Sequence, residues 1–172
     1  MTEANIVKLI SEAMVVRVRE FLENQLGVQV DAGQASGSEI DLVALHDITA
    51  IVGVGGAANL LVAFSLSSSL LDRIFERFTA DIEVPPNERD TYRLETAAEF
   101  INIVVGHCTG DMPKGDHAIT LSPPVVVQEA KSIHRAKGAV FWRQSIRTDQ
   151  GDLDINYVGP RELFDIEMNY AA

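Results

Sequence analysis

The sequence predicts an α+β fold in which a largely antiparallel β-sheet is covered by α-helices. Three observations carry this. Residues 3–26, 70–78 and about 88–108 place apolar side chains at helical spacing. The aliphatic, β-branched runs ITAIVGV and NLLVAFSL flank the short segment GGAA, the pattern of an antiparallel hairpin. GAVFWRQSIRT and DLDINYV alternate on either side of Asp149-Gln150-Gly151, a second hairpin.

In chain order, residues 3–26 form an amphipathic helix with Ile6, Leu9, Ile10, Val16 and Phe21 among its apolar positions. The small-residue segment 31–38 is the loop expected to be most mobile. After the first hairpin, Ser67, Ser68 and Ser69 offer helix N-caps, with Ser69 and Asp72 spaced as a capping box. Pro85-Pro86-Asn87 separates the helix LLDRIFERF from the next one, which Gly110 is placed to close. AITLSPPVVV is a strand pair or one strand interrupted by proline, confined to an edge or a bend. Beyond Pro160, Phe164, Ile166, Met168 and Tyr170 alternate with polar residues, as in a strand pairing at an edge, for instance that of a partner subunit.

A chain of 172 residues fits one domain, 1–172, able to bury a core without metal or disulfide. Its 47% hydrophobic content is that of a globular, soluble protein. The net charge of −11 argues against nucleic acid and against anionic membrane surfaces as partners. Cys108 is the sole cysteine, which excludes an intramolecular disulfide. Glu3 and Glu12 among the first apolar residues do not suit a signal peptide, and no run approaches a membrane span. The expected location is cytoplasmic, without membrane insertion.

The helix over ETAAEFINIVVG (95–106) is the most informative segment. Glu95, Glu99, Asn102 and Gly106 fall on one stripe, within an arc of roughly 60° at about 100° per residue. Ala98 and Ile103 border it, and Leu94, Ala98, Ile101, Val105 and Cys108 form an apolar stripe expected to face a core. Two like charges at i, i+4 and a mid-helix amide both disfavour the helix, as happens where function overrides stability. The stripe has no nucleophile paired with a base, so covalent catalysis is not its chemistry. An Asn can hold a water through its donor and its acceptor, and a carboxylate can pair with a partner's cation. These residues suit a reaction in which water must be aimed at an already activated substrate.

With Glu95 four residues before Glu99 and Gly106 four after Asn102, Glu99-Phe-Ile-Asn102 resembles the E-x-x-N signature of the CheC/CheX phosphatases of bacterial chemotaxis. ITAIVGVGGAANLLVAFSL resembles that family's strand–glycine turn–strand unit, and SPPVVV its proline-bearing strand; the resemblance spans roughly residues 40–158 and leaves 160–172 as an extension. The resemblance implies a phosphatase of the CheX type, a homodimer with one site per chain. Its substrate would be the aspartyl phosphate of a CheY-like response regulator. Asn102 would orient the hydrolytic water and Glu99 would pair with the regulator's active-site lysine. Glu95, Gly106, Ile103 and Ala98 would contact the partner. The chain would need no cofactor of its own, the Mg2+ being the regulator's. The family commonly has Asp or Ser at the place of Glu95, and Pro123-Pro124 lie slightly closer to Asn102 than is usual in it. A rival reading is a non-catalytic docking module like the middle domain of flagellar switch proteins, which would not need Glu99 and Asn102 together.

Other motifs point elsewhere less well. Gly53-Val-Gly55-Gly56-Ala-Ala58 imitates a dinucleotide fingerprint but precedes a strand, where that motif needs a helix. His107, Cys108, Asp111, Asp116 and His117 match no common zinc spacing. Asp149, Asp152 and Asp154 lack the ligand order of a calcium loop. Trp142 on an alternating strand reads as core or interface.

Overall fold

The computed structural model describes residues 3–31, 38–56, 58–112, 119–134 and 137–164. In chain order the elements are α1 (Glu3–Glu20) with a following π-helical turn (Phe21–Gln25), β1 (Ser38–Ile40), β2 (Leu42–Ala44), β3 (Ile48–Gly56) and β4 (Leu60–Leu66). Then come α2 (Ser68–Phe78), α3 (Arg89–Gly110), β5 (Ile119–Leu121), β6 (Val125–Gln128), β7 (Ser132–His134), β8 (Ala139–Thr148), β9 (Gly151–Pro160) and a 3-10 turn (Arg161–Leu163).

Both expected hairpins form and join edge to edge. β3 pairs with β4 and β8 with β9, all antiparallel, and β9 pairs with β4, so the sheet runs β1-β8-β9-β4-β3. β5 and β6 both pair with β3, one beyond the other, and Ser122–Pro124 make the break between them. The interrupted strand therefore lies at the sheet edge, where proline's missing donor is harmless. β2 and β7 form a separate two-stranded sheet. The α+β architecture is the predicted one.

Alternation decides which side chains face the helices. Ala50, Val52, Val54, Val62, Phe64, Leu66, Ile155, Tyr157 and Trp142 share a core with Val7, Ile10, Met14 and Val18 of α1 and Phe100, Ile101 and Val104 of α3. Trp142 is core. On the opposite face Thr49, Ser65, Asp154 and Asn156 are buried as polar groups. Arg143 Nε donates to Asn156 Oδ1 at 2.9 Å and Ser145 Oγ to Asp154 Oδ1 at 2.5 Å. His46 Nε2 lies 3.2 Å from Asp154 Oδ2 but is not aligned for a hydrogen bond. Asp154 is thus held in a structural network. Asp152 pairs with Arg147, whose Nη1 also reaches Asp154 Oδ1 at 3.5 Å, and Asp149 Oδ1 accepts from Gln29 N–H, so all three aspartates are taken up by structural contacts of the hairpin.

Several local expectations change. The first helix is not uniform: it widens into the π-helical turn over Phe21–Gln25. The N-cap of α2 is Ser67, not Ser69, and its own hydroxyl does not cap the helix. Asp47 takes that role from the preceding strand connection, its Oδ2 accepting from Ser68 N–H at 3.1 Å. Ser67 Oγ is turned instead to Asp152 N–H. Gly151 has φ 134°, and a Cβ there would strike the Ser67 and Ser69 hydroxyls, so the β8–β9 turn and the start of α2 fit together only around glycine. Gly110 is the last residue of α3 rather than a left-handed cap, the C-cap being Asp111. The loop expected at 31–38 and the strand expected over Phe164–Tyr170 lie mostly outside the described residues. Arg161–Leu163 make a 3-10 turn with Leu163 buried.

The cap at Asp47 generates a pH prediction. Its hydrogen bonds to Ser68 hold the carboxyl below its ordinary value. A depressed folded-state pKa contributes stability above the unfolded value, and that contribution is lost as pH falls through the folded one. Asp47→Ala should cost about 0.5–1 kcal/mol at neutral pH, the low end because the site is exposed. Asp47→Asn should keep most of the cap but remove its share of the acid-side loss, as thermal unfolding from pH 7 to pH 3 would show.

Candidate active-site helix

α3 is fixed from both sides. The ring of Phe100 meets Phe21 at 5.0 Å between centroids, and Phe21 meets Phe78 of α2 edge-on at 6.0 Å. Near its start, Arg93 Nε bonds Asp72 Oδ1 at 2.8 Å and the Arg89 guanidinium lies 4.7 Å over the Phe75 ring. At its end, Arg17 of α1 forks onto Asp111, Nε to Oδ2 at 2.8 Å and Nη2 to Oδ1 at 2.7 Å. The same arginine bonds Glu20 at 2.7 Å. The helix is thereby tied to α1 and α2 as well as to the sheet.

The buried face of α3 is Thr96, Ala97, Phe100, Ile101, Val104, Val105 and Cys108. Of the expected core stripe, Ile101, Val105 and Cys108 are in it, but Leu94 and Ala98 are only half-buried. The burial is rotated toward Phe100 and Val104 because α1 and α2 cover that flank, an influence that periodicity within one helix cannot reveal.

The polar stripe lies on the other side. Glu95, Glu99, Asn102 and Gly106 are all exposed, with Ala98 and Ile103 half-buried at its borders. Among the described residues, none of the side chains of Glu95, Glu99 and Asn102 has a hydrogen-bond or ion-pair partner. The two arginines of the helix's first turns are committed to Asp72 and Phe75 instead. Two carboxylates and an amide thus stand uncompensated on a rigid surface, free to meet a cation and a water. Cys108 adds no nucleophile: it is buried, and that burial pushes its thiol up to about 12. His107 is exposed in the last turn of α3, and Asp111 is taken by Arg17; Asp116 and His117 lie outside the described residues.

Gly106 is informative for a negative reason. A Cβ there would meet nothing within 4 Å, and its φ is not positive. Neither packing nor backbone geometry requires glycine at this helix position, where it costs stability relative to alanine. Gly106→Ala should raise unfolding free energy by about 0.5–1 kcal/mol, read by denaturant titration. A loss of stability would show a structural demand for glycine.

The chain is an α+β protein whose clamped helix α3 presents an exposed, unpaired acid–amide stripe on the face turned away from the core. The family profile described as Chemotaxis phosphatase CheX matches residues 48–146, from the start of β3 to near the end of β8 and more than half of the chain. The chain belongs to the CheX family. Among solved structures it is similar to the chemotaxis protein CheX of Desulfovibrio desulfuricans, with TM-score 0.68 and 16% identity over 86% of this chain and 97% of that one. A putative chemotaxis protein of Desulfovibrio vulgaris Hildenborough gives TM-score 0.70 and 13% identity over 87% and 96%. The CheX–CheY–BeF3–Mg2+ complex of Borrelia burgdorferi gives 0.58 and 12% over 86% and 95%. At these identities the likeness is one of fold. No curated protein sequence matches the chain. Among the described residues, no helix is long and apolar enough to cross a membrane.

Proposed function

We propose that this chain is a protein aspartyl-phosphate phosphatase acting on a phosphorylated CheY-like response regulator in the cytoplasm. The observation that carries the reading is the exposed, unpartnered Glu99/Asn102 pair on α3, in a chain of the chemotaxis phosphatase family. Asn102 accepts a hydrogen bond from a water and donates another to its surroundings, which aims the oxygen at phosphorus. Water attacks, the bond between phosphorus and the aspartyl oxygen breaks, and phosphate and a free carboxylate result. The acyl phosphate is already activated, so placing one water supplies much of the acceleration. Glu99 pairs with the regulator's active-site lysine, and Mg2+ belongs to the regulator's phosphate site. Glu95, Ala98, Ile103 and Gly106 form the contact surface around the pair. The Borrelia relative, solved with CheY, BeF3 and Mg2+, supports this division of parts between two proteins.

Phosphate release from phosphorylated receivers of the same genome tests the reading. Asn102→Ala should leave circular dichroism unchanged and Tm equal or slightly raised, alanine being the better helix former, and lower the acceleration by about 100-fold or more. Glu99→Ala should raise KM and lower kcat together. Full activity in Asn102→Ala would refute the water-aiming role. Binding with an unchanged phosphate lifetime would identify a docking module instead.

The family resemblance also supports a homodimer with one site per chain. Light scattering at micromolar concentration should give twice the chain mass; the mass of one chain would refute it.

A further inference from the structure

Beside the stripe lies a groove that the proposed chemistry leaves unused. It forms where the π-helical turn after α1, the last turn of α2 and the second half of α3 converge. Phe21, Phe78 and Ile103 make its apolar wall, Gln25, Arg77 and His107 its polar rim, and it encloses about 330 Å³. A recess of about 190 Å³ continues it past Arg17 and Glu20 of α1, which pair with each other, and past Asn24 of the π-helical turn.

Ile103 joins the two surfaces. It follows Asn102 and is turned about 100° around the helix from it, so it forms both the border of the stripe and one lip of the groove. A protein seated over Asn102 therefore overhangs the groove. The charge also changes across this border. The stripe carries two carboxylates, whereas the rim carries Arg77 and His107 in a chain of net charge −11. Arg77 is exposed, donates from Nε to Gln25 O at 3.2 Å and has no carboxylate partner among the described residues. Arg17, by contrast, is fully engaged by Asp111 and Glu20.

We propose that this groove is a second docking point for the receiver. It takes an apolar side chain from the receiver's surface, with a neighbouring receiver carboxylate against Arg77 and His107. The inference rests on the phosphatase reading for its partner and adds the element that orients it. A single narrow stripe lets a partner pivot about the axis of α3, and a misplacement of about 1 Å can cost 100-fold in rate. A contact to one side of the stripe removes that freedom. An apolar pocket bordered by an unpaired arginine is also the kind of site in which binding energy concentrates.

The test is titration with a receiver loaded with beryllofluoride and Mg2+, alongside phosphate-release kinetics, for wild type, Arg77→Glu, His107→Ala and Asn102→Ala. Arg77→Glu should weaken Kd and raise KM about tenfold or more, with a smaller effect of the same sign for His107→Ala. In both, Kd and KM should rise and kcat should fall with them, since a partner free to pivot misplaces the water, whereas Asn102→Ala should lose kcat with Kd nearly intact. Circular dichroism checks that both exposed-site variants are folded. If Arg77→Glu and His107→Ala bind like wild type while Asn102→Ala loses turnover, the groove proposal is overturned and the phosphatase reading stands. Weakened binding by Arg77→Glu and His107→Ala, in a protein whose wild type binds the receiver without hydrolysing its phosphate, would support the groove and refute the phosphatase. Failure of wild type to bind any receiver overturns both. Loss of dimer mass in Arg77→Glu with receiver affinity unchanged would assign the groove to a second copy of the chain, against this proposal.

Discussion

The structure depends on one packing relation: α3 is anchored through its buried face, which leaves its opposite face exposed and free of packing demands. Phe100, Ile101, Val104 and Cys108 lie in the core shared with the sheet, and Phe21 of the π-helical turn packs its ring at a tilt against Phe100. Each fully buried side chain of this size contributes about 1.5–3 kcal/mol. Like charges at Glu95 and Glu99 cost only a few tenths of a kcal/mol. The disparity is large. It allows an acidic, unneutralised stripe to persist without loosening the helix, and the links of Arg17 to Asp111 and Arg93 to Asp72 hold both ends.

A rigid helix matters because of what an amide can do. Asn102 has no proton-transfer chemistry, so in the role proposed for it its value would lie in where it holds a water. That value is lost if the helix rocks. The core of α1, α2 and the sheet supplies a fixed platform, and the groove at the three-helix junction would fix the partner's angle on it. Stability and the proposed positioning would thus be served by the same aromatic cluster, Phe21, Phe78 and Phe100, of which Phe21 and Phe78 also line the groove.

Much of this was legible in the sequence. The hairpins could be read because alternation and short glycine-bearing turns are local signals, as in ITAIVGV–GGAA–NLLVAFSL. The exposed stripe could be read because its four members share one angular sector of a single helix. What escaped prediction was decided by contacts distant in sequence. Asp47 caps α2 across an intervening hairpin, and no spacing rule connects it to Ser68. Burial on α3 shifted toward Phe100 because two other helices cover that flank. The aspartates near the last turn became structural partners only once Arg147, Ser145 and Gln29 were brought beside them. The groove is likewise assembled from three helices, and none of its residues signals it alone.

The central claim is that the exposed face of α3 is half of an active site, completed by a receiver. The most direct measurement is an NMR titration of the isotopically labelled chain with a beryllofluoride-loaded receiver, following backbone amides and the side-chain amide of Asn102. The account predicts that the largest shifts cluster within Glu95–Gly106 and include the Asn102 side chain. Shifts confined to the opposite face of the sheet, with the Asn102 amide unmoved, would contradict it.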